Sequence, residues 1–168
     1  MGAWLGLGEG PEIDWQNWHV STMSRDQARM IAEWRYPPPY DFYNGDKDPE
    51  DLRELLDPPE GVSYWVVSAR DVNILGFLEF QWTNGRIGLG LGMRPELTGI
   101  GVGLYFVKRA LQFIEGQWGR QSVDLMVAEF NVRAITVYRR AGFHVTGNRW
   151  VDTNGAQYPF VTMRWDPD

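Results

Sequence analysis

Met93-Arg94-Pro95-Glu96-Leu97-Thr98-Gly99-Ile100-Gly101-Val102-Gly103-Leu104 decides how this chain is read, because it joins a strand to a helix through glycines at alternate positions. The strand before it, Arg86 to Met93, carries Gly88, Gly90 and Gly92 at period two. Side chains alternate between the two faces of a strand, so this period leaves one face bare. Either a helix packs closely on that backbone or a ligand is inserted there. Beyond the loop, Leu104, Val107, Leu111 and Ile114 share one helical face. Alternate glycines let successive backbone N–H groups turn toward one anion, and the positive end of the helix macrodipole adds to the attraction. The stretch is a candidate pyrophosphate cradle.

Spacing separates the phosphate ligands. A P-loop requires Gly-Lys-Ser/Thr at the helix start, where this chain has Gly103-Leu104-Tyr105. The lysine for the terminal phosphates and the hydroxyl for magnesium are both missing, which disfavours nucleotide triphosphate chemistry. A dinucleotide fingerprint starting at Gly99 or Gly101 needs its third glycine where Leu104 or Phe106 stands.

Working outward, Ser63 to Ala69, Ile74 to Trp82 and Arg86 to Met93 read as an antiparallel meander, with Asn84-Gly85 as the hairpin turn between the last two. Before them, a first strand is expected from Trp15 to Val20. Ser24 then caps a helix carrying Ala28, Ile31, Ala32 and Trp34. Pro37-Pro38-Pro39 stops that helix, since none of the three has a backbone N–H to donate. An aromatic loop, Tyr40-Asp41-Phe42-Tyr43-Asn44, follows, and Asp48 caps a second helix from Pro49 to Leu56. At the C-terminal end, a strand around Trp150 turns at Asn154-Gly155 and returns as Tyr158 to Trp165.

Between these parts lie a strand, Val123 to Phe130, and a helix, Asn131-Val132-Arg133-Ala134-Ile135-Thr136-Val137-Tyr138-Arg139-Arg140-Ala141, closed by Gly142-Phe143. The glycine cradle, followed about thirty residues later by Asn-x-x-Ala-x-x-x-Tyr-x-x-x-Gly-Phe, resembles the GNAT superfamily of N-acetyltransferases. The resemblance runs in element order from about His19 to Trp165 and is strongest from Met93 to Phe143. It implies an α+β fold: a central, mostly antiparallel twisted sheet in which two parallel strands splay apart, flanked by helices. It also implies acetyl-coenzyme A (acetyl-CoA) as co-substrate and an amine of a small molecule, peptide or protein as acceptor.

Carried over by position, the resemblance implies that the backbone at Leu91 and Met93 pairs with the pantetheine arm, with an N–H there facing the attacked carbonyl oxygen. The amides of Thr98, Gly99, Ile100, Gly101, Val102, Gly103 and Leu104 would hold the pyrophosphate, and Asn131 would contact the pantetheine arm. Tyr138 would protonate the departing thiolate; an isolated tyrosine here would otherwise read as a filler between helix and sheet. Thr98 departs from the Gln or Arg usual at the first loop position, so its hydroxyl brings no charge to the phosphates.

The acceptor amine must lose a proton before it attacks. The strand Arg86 to Met93 holds no carboxylate where many family members keep a base. Glu79 is the first candidate, because Leu78 and Phe80 flank it and burying an acid there is costly without a purpose. The alternative is a polar residue at a strand edge. Asp41 and Glu129 are further candidates. Tyr40, Asp41 and Tyr43 of the aromatic loop would line the acceptor pocket, or the loop is packed down by its rings.

Composition bounds the rest. A chain of 168 residues supports one domain, expected from residue 15 to 168, with residues 1 to 14 as a flexible tail carrying Gly at four of its first eleven positions. The net charge of −6, without a basic face, argues against nucleic acid and weakly favours a cationic acceptor. No cysteine and two histidines argue against a metal site or thiol chemistry. Without a membrane-length apolar run or a signal peptide, a cytoplasmic protein is expected. Oligomeric state is left open between monomer and homodimer. The rival function is a non-catalytic module that binds or senses acyl-CoA.

Overall fold

The computed structural model describes residues 17–69 and 73–168. The expected tail, 1 to 14, lies outside these residues. Seven strands form one sheet: β1 (Trp18–Thr22), β2 (Val62–Ala69), β3 (Asn73–Thr83), β4 (Arg86–Met93), β5 (Val123–Ala128), β6 (His144–Thr153) and β7 (Ala156–Trp165). Their order is β1-β2-β3-β4-β5-β7-β6, antiparallel throughout except for the β4–β5 pair. Four helices accompany it: α1 (Arg25–Ala32), α2 (Pro49–Leu56), α3 (Gly103–Trp118) and α4 (Val132–Arg140).

Local chemistry sets the boundaries. Ser24 and Gln27 close a reciprocal capping box at the start of α1. Asp48 caps α2 ahead of Pro49, and Asn131 caps α4 through a bond from the Ala134 N–H. Helix α1 ends at Ala32, so Trp34 leaves the helix and packs with Phe77 instead. Strand β5 ends at Ala128, two residues before the expected end, because the Asn131 N–H turns back to the Ala128 carbonyl. The Asn84-Gly85 and Asn154-Gly155 turns both have positive φ at each residue, the geometry of a two-residue hairpin.

The larger core lies between the sheet and the α3–α4 side. Helix α3 buries Phe106, Val107, Ala110, Leu111 and Ile114, and α4 adds Ile135 and Tyr138. Phe106 is fully buried, worth roughly 2–3 kcal/mol by removal of its ring from water. It takes over the place expected for Leu104, which turns toward a cavity. A smaller cluster on the opposite face joins Ile31, Val66 and Ile74, with Leu55 of α2 packed against it.

The parallel pair is short: only Ile87↔Val123 and Gly88↔Asp124 are in register. Beyond Gly88, β4 stays with β3 while β5 continues with β7, so the two strands part. The Arg94 N–H bonds to the Leu75 carbonyl and the Ile87 N–H to the Ser122 carbonyl. That alternation aims the backbone groups of Leu89, Leu91 and Met93 away from β3, toward the gap.

Candidate active site

The parted strands open into a cavity of about 740 Å³. One end is the loop before α3, where Gly99 and Gly101 have φ of +75° and +87°. These left-handed residues turn the chain so that Thr98, Gly99, Gly101, Gly103 and Leu104 line the cavity. Ile100 and Val102 alternate with them and pack into the core. The N-terminus of α3 has neither a side-chain cap nor an acidic residue in its first turn, whereas α1, α2 and α4 are each capped by a side chain. Its first residues, Gly103 and Leu104, line the cavity end, where an anion site would draw on their N–H groups. The Thr98 hydroxyl donates to the Pro95 carbonyl at 2.7 Å.

Leu91, Met93, Asn131 and Tyr138 form the middle of the cavity wall. Tyr138 is 9% exposed, packs against Phe143, and its hydroxyl makes no hydrogen bond among the described residues. Burial, with a smaller contribution from Tyr43, raises its pKa well above the ordinary phenol value, so it holds its proton. The Asn131 amide donates to the Tyr43 hydroxyl at 3.1 Å while its oxygen caps α4.

The other end is built from side chains. Glu79 lies directly across from Gly90 in the β3–β4 register, and a Cβ added at Gly90 would sit 3.0 Å from its Oε2. Phe77 covers Gly92 in the same way. Two side chains of the adjacent strand, rather than a helix, lie across the bare face of β4 at Gly90 and Gly92. Leu78 and Phe80 point to the opposite, fully buried side, which leaves Glu79 on the cavity wall.

Burial pushes the Glu79 carboxyl above the usual carboxylate range; a hydrogen bond from Tyr64 opposes the rise, and Glu54 and Asp51 add to it. Asp51 is pushed up to about 6 by burial, then by Asp48, Glu54 and Glu50. Asp48 differs: the Asn154 backbone N–H, above all, holds its carboxyl low, and Thr153 also donates to it. It fastens α2 to the β6–β7 turn, while Asp51, Glu54 and Glu79 are left facing the cavity.

Of the other expected residues, Tyr40 and Tyr43 line the cavity, but Asp41 does not: its carboxylate is 4.0 Å from Lys47. Glu129 is exposed and stands outside the cavity. The aromatic loop is also packed by its rings, with Phe42 against Phe130 and Tyr158. Besides Asp51 and Glu54, three contributors were missed in the sequence. Tyr36 donates to the Met93 carbonyl at 2.7 Å, Tyr64 stands opposite Glu79, and Arg133 reaches the cradle. Tyr64 alone had a signal, its place in a strand pairing with that of Glu79.

A strand–loop–helix cradle beside a parted parallel pair defines a fold that receives an acyl donor between its strands. The profile described as Acetyltransferase (GNAT) family matches residues 28–143. The chain belongs to that family and is an acetyl-CoA-dependent N-acetyltransferase. It is similar to peptidyl-lysine N-acetyltransferase YjaB of Salmonella typhimurium, 29% identical over 139 residues, covering 80% of this chain and 88% of that protein. The Escherichia coli YjaB protein is 31% identical over 117 residues, covering 69% and 71%. Among solved structures, spermidine N-acetyltransferase from Vibrio cholerae in complex with CoA and spermine superposes with a TM-score of 0.67 at 19% identity, covering 90% of this chain and 96% of that one. No helix among the described residues is long and apolar enough to cross a membrane.

Proposed function

We propose that this enzyme acetylates a primary amine on an acceptor carrying at least one further positive charge, with Glu79 as general base and Tyr138 as general acid. One observation carries the reading: a single cavity runs from the open N-terminus of α3, past the unpaired β4 backbone, to the acidic wall of Glu79, Asp51 and Glu54. The donor end fits acetyl-CoA, since the loop amides of residues 98–104 offer N–H groups to the pyrophosphate and the Leu91 backbone and Met93 N–H offer the pantetheine arm a strand edge. The acidic end suits a polyamine, or a lysine beside other basic groups; the similar enzymes are named for peptidyl-lysine and spermidine.

Acetyl-CoA supplies the activated acyl group, whose C–S bond breaks as the amine nitrogen forms the new C–N bond. Glu79, whose raised pKa makes it a stronger base than a free carboxylate, takes the proton from the acceptor ammonium. The Met93 N–H faces the attacked carbonyl oxygen, and the Tyr36 hydroxyl steadies the following peptide through the Met93 carbonyl. Tyr138 gives its proton to the leaving thiolate. The similar curated proteins are named as enzymes, and nothing favours the non-catalytic alternative.

Thiol release from acetyl-CoA tests the proposal with spermidine, a lysine-containing basic peptide and a monoamine of similar length. The expected outcome is turnover of a polycationic acceptor at least about tenfold above the monoamine, given roughly 1.4 kcal/mol per added charge contact. Equal turnover of the monoamine would reject the acidic end as a recognition element.

A further inference from the structure

The cradle lacks a positive side chain where its ligand has most charge. From Thr98 to Leu104 no residue is basic, and the Thr98 hydroxyl already donates its proton to Pro95. A pyrophosphate held only by N–H dipoles lacks the charge-assisted bonds that a guanidinium supplies. Arg133, from the first turn of α4 and distant in sequence, reaches this loop. Its Nη1 would lie 3.1 Å from a Cβ built on Gly99, and it lines the cavity. Among the described residues, no carboxylate pairs with it. Its guanidinium carbon sits 4.0 Å from the centroid of the Tyr40 ring, which fixes the fork by cation–π contact without using its N–H donors.

We infer that Arg133 is the cationic ligand of the donor's pyrophosphate, standing in for the charge absent at Thr98, and that Tyr40 is its positioning residue. The inference rests on acetyl-CoA binding along the parted strands. It gives Tyr40 a role on the donor side, although its loop borders the acceptor end. Gly99, whose φ of +75° favours glycine, leaves room beside the loop for the guanidinium. The surrounding geometry leaves the five N–H donors of the fork available to phosphate oxygens.

Calorimetric titration of the whole chain tests it with three probes: CoA, 3′-dephospho-CoA and S-acetyl-pantetheine, the last lacking the pyrophosphate. Arg133→Gln should weaken CoA and 3′-dephospho-CoA alike, by about tenfold or more, the loss of one charge-assisted contact. Binding of S-acetyl-pantetheine should not change. Arg139→Gln removes the same charge from the same helix outside the cavity and should leave CoA affinity within about twofold. Tyr40→Leu should weaken CoA severalfold, and Tyr40→Phe, which keeps the ring face, should restore it. Wild-type affinity for CoA in Arg133→Gln overturns the inference, as does a loss seen with CoA but not with 3′-dephospho-CoA, which would move Arg133 to the 3′-phosphate. If the Gln variant does not fold, Arg133→Lys decides: it should still weaken both pyrophosphate-bearing probes severalfold, and unchanged binding overturns the inference. A wild-type chain that fails to bind CoA at all would instead remove the donor reading beneath it.

Discussion

The two ends of the cavity are made of different material. The donor end is mostly main chain: left-handed Gly99 and Gly101, the uncapped start of α3 and the groups of Leu91 and Met93 that no neighbouring strand pairs. The acceptor end is side chain: Glu79 laid over Gly90, with Asp51 and Glu54 reaching in from α2. A backbone site constrains which residues are allowed, chiefly glycines, whatever fold neighbours surround it. A side-chain site is defined by which elements pack together, and its residues are ordinary until they meet. The first suits an invariant ligand such as a pyrophosphate, the second a variable one.

Breaking the acceptor end at its base should have the largest effect. Glu79→Gln should lower kcat by about 100- to 1000-fold while CoA affinity stays unchanged, as single-turnover thiol release and titration would show. The acid limb of the pH–rate profile should vanish with it. In the wild type that limb rises with pH as Glu79 deprotonates, and it lies above the ordinary carboxylate range because burial raises that pKa. An unshifted limb in the variant would transfer the base to another group.

Next comes Tyr138→Phe, expected to slow thiol release about 10- to 100-fold with little change in thermal stability, since its hydroxyl bonds to nothing among the described residues. A large loss of Tm instead would mark the tyrosine as packing alone.

The donor end should break through its backbone. Gly101 has φ +87° and open space around it, so Gly101→Ala meets no clash but must hold a left-handed conformation costing about 1–2 kcal/mol. The expected result is CoA affinity weakened about tenfold with acceptor KM unaltered, measured by titration and steady-state kinetics. An acceptor KM that moved in parallel would erase the division between the ends.

The smallest effect belongs to Asp51→Asn, expected to raise the KM of a polycationic acceptor a few-fold at pH 7.5 and not at all below about pH 5, where the wild-type carboxyl, pushed up to about 6, is already neutral. Stability should move oppositely. A carboxyl raised in the folded state contributes stability below its unfolded pKa and loses it as pH rises through about 6. The Asn variant should therefore gain on the wild type only at the higher pH, seen in paired melting curves.

The same division explains what could be read from the chain. Hairpin turns, helix caps and the cradle follow from local rules at Asn84-Gly85, Asn154-Gly155, Ser24, Asp48 and Gly99 to Gly103, so most elements and the family were legible. The place of Glu79 on the cavity wall was legible because burying an acid between Leu78 and Phe80 is costly. The cause of the Gly88-Gly90-Gly92 pattern was not. It depends on register, which sets Glu79 against Gly90 and Phe77 against Gly92. Tyr36, Tyr64, Asp51, Glu54 and Arg133 escaped for the same reason, each acquiring its place from a partner distant in sequence. Asp41 was overvalued because the aromatic loop borders the cavity with its rings while that carboxylate turns to Lys47.

The parted β4–β5 pair has a further consequence. A sheet interrupted at its centre carries two inner edges, and inner edges, unlike outer ones, are shielded from other chains by the strands on either side. A donor whose arm lies along β4 acts as a temporary strand, so the amide protons of Leu89, Leu91 and Met93 should exchange quickly with deuterium in the free enzyme and slowly once the donor is seated. The enzyme's most central strand would then owe part of its rigidity to its own co-substrate, and each turnover would mend and reopen the middle of the sheet.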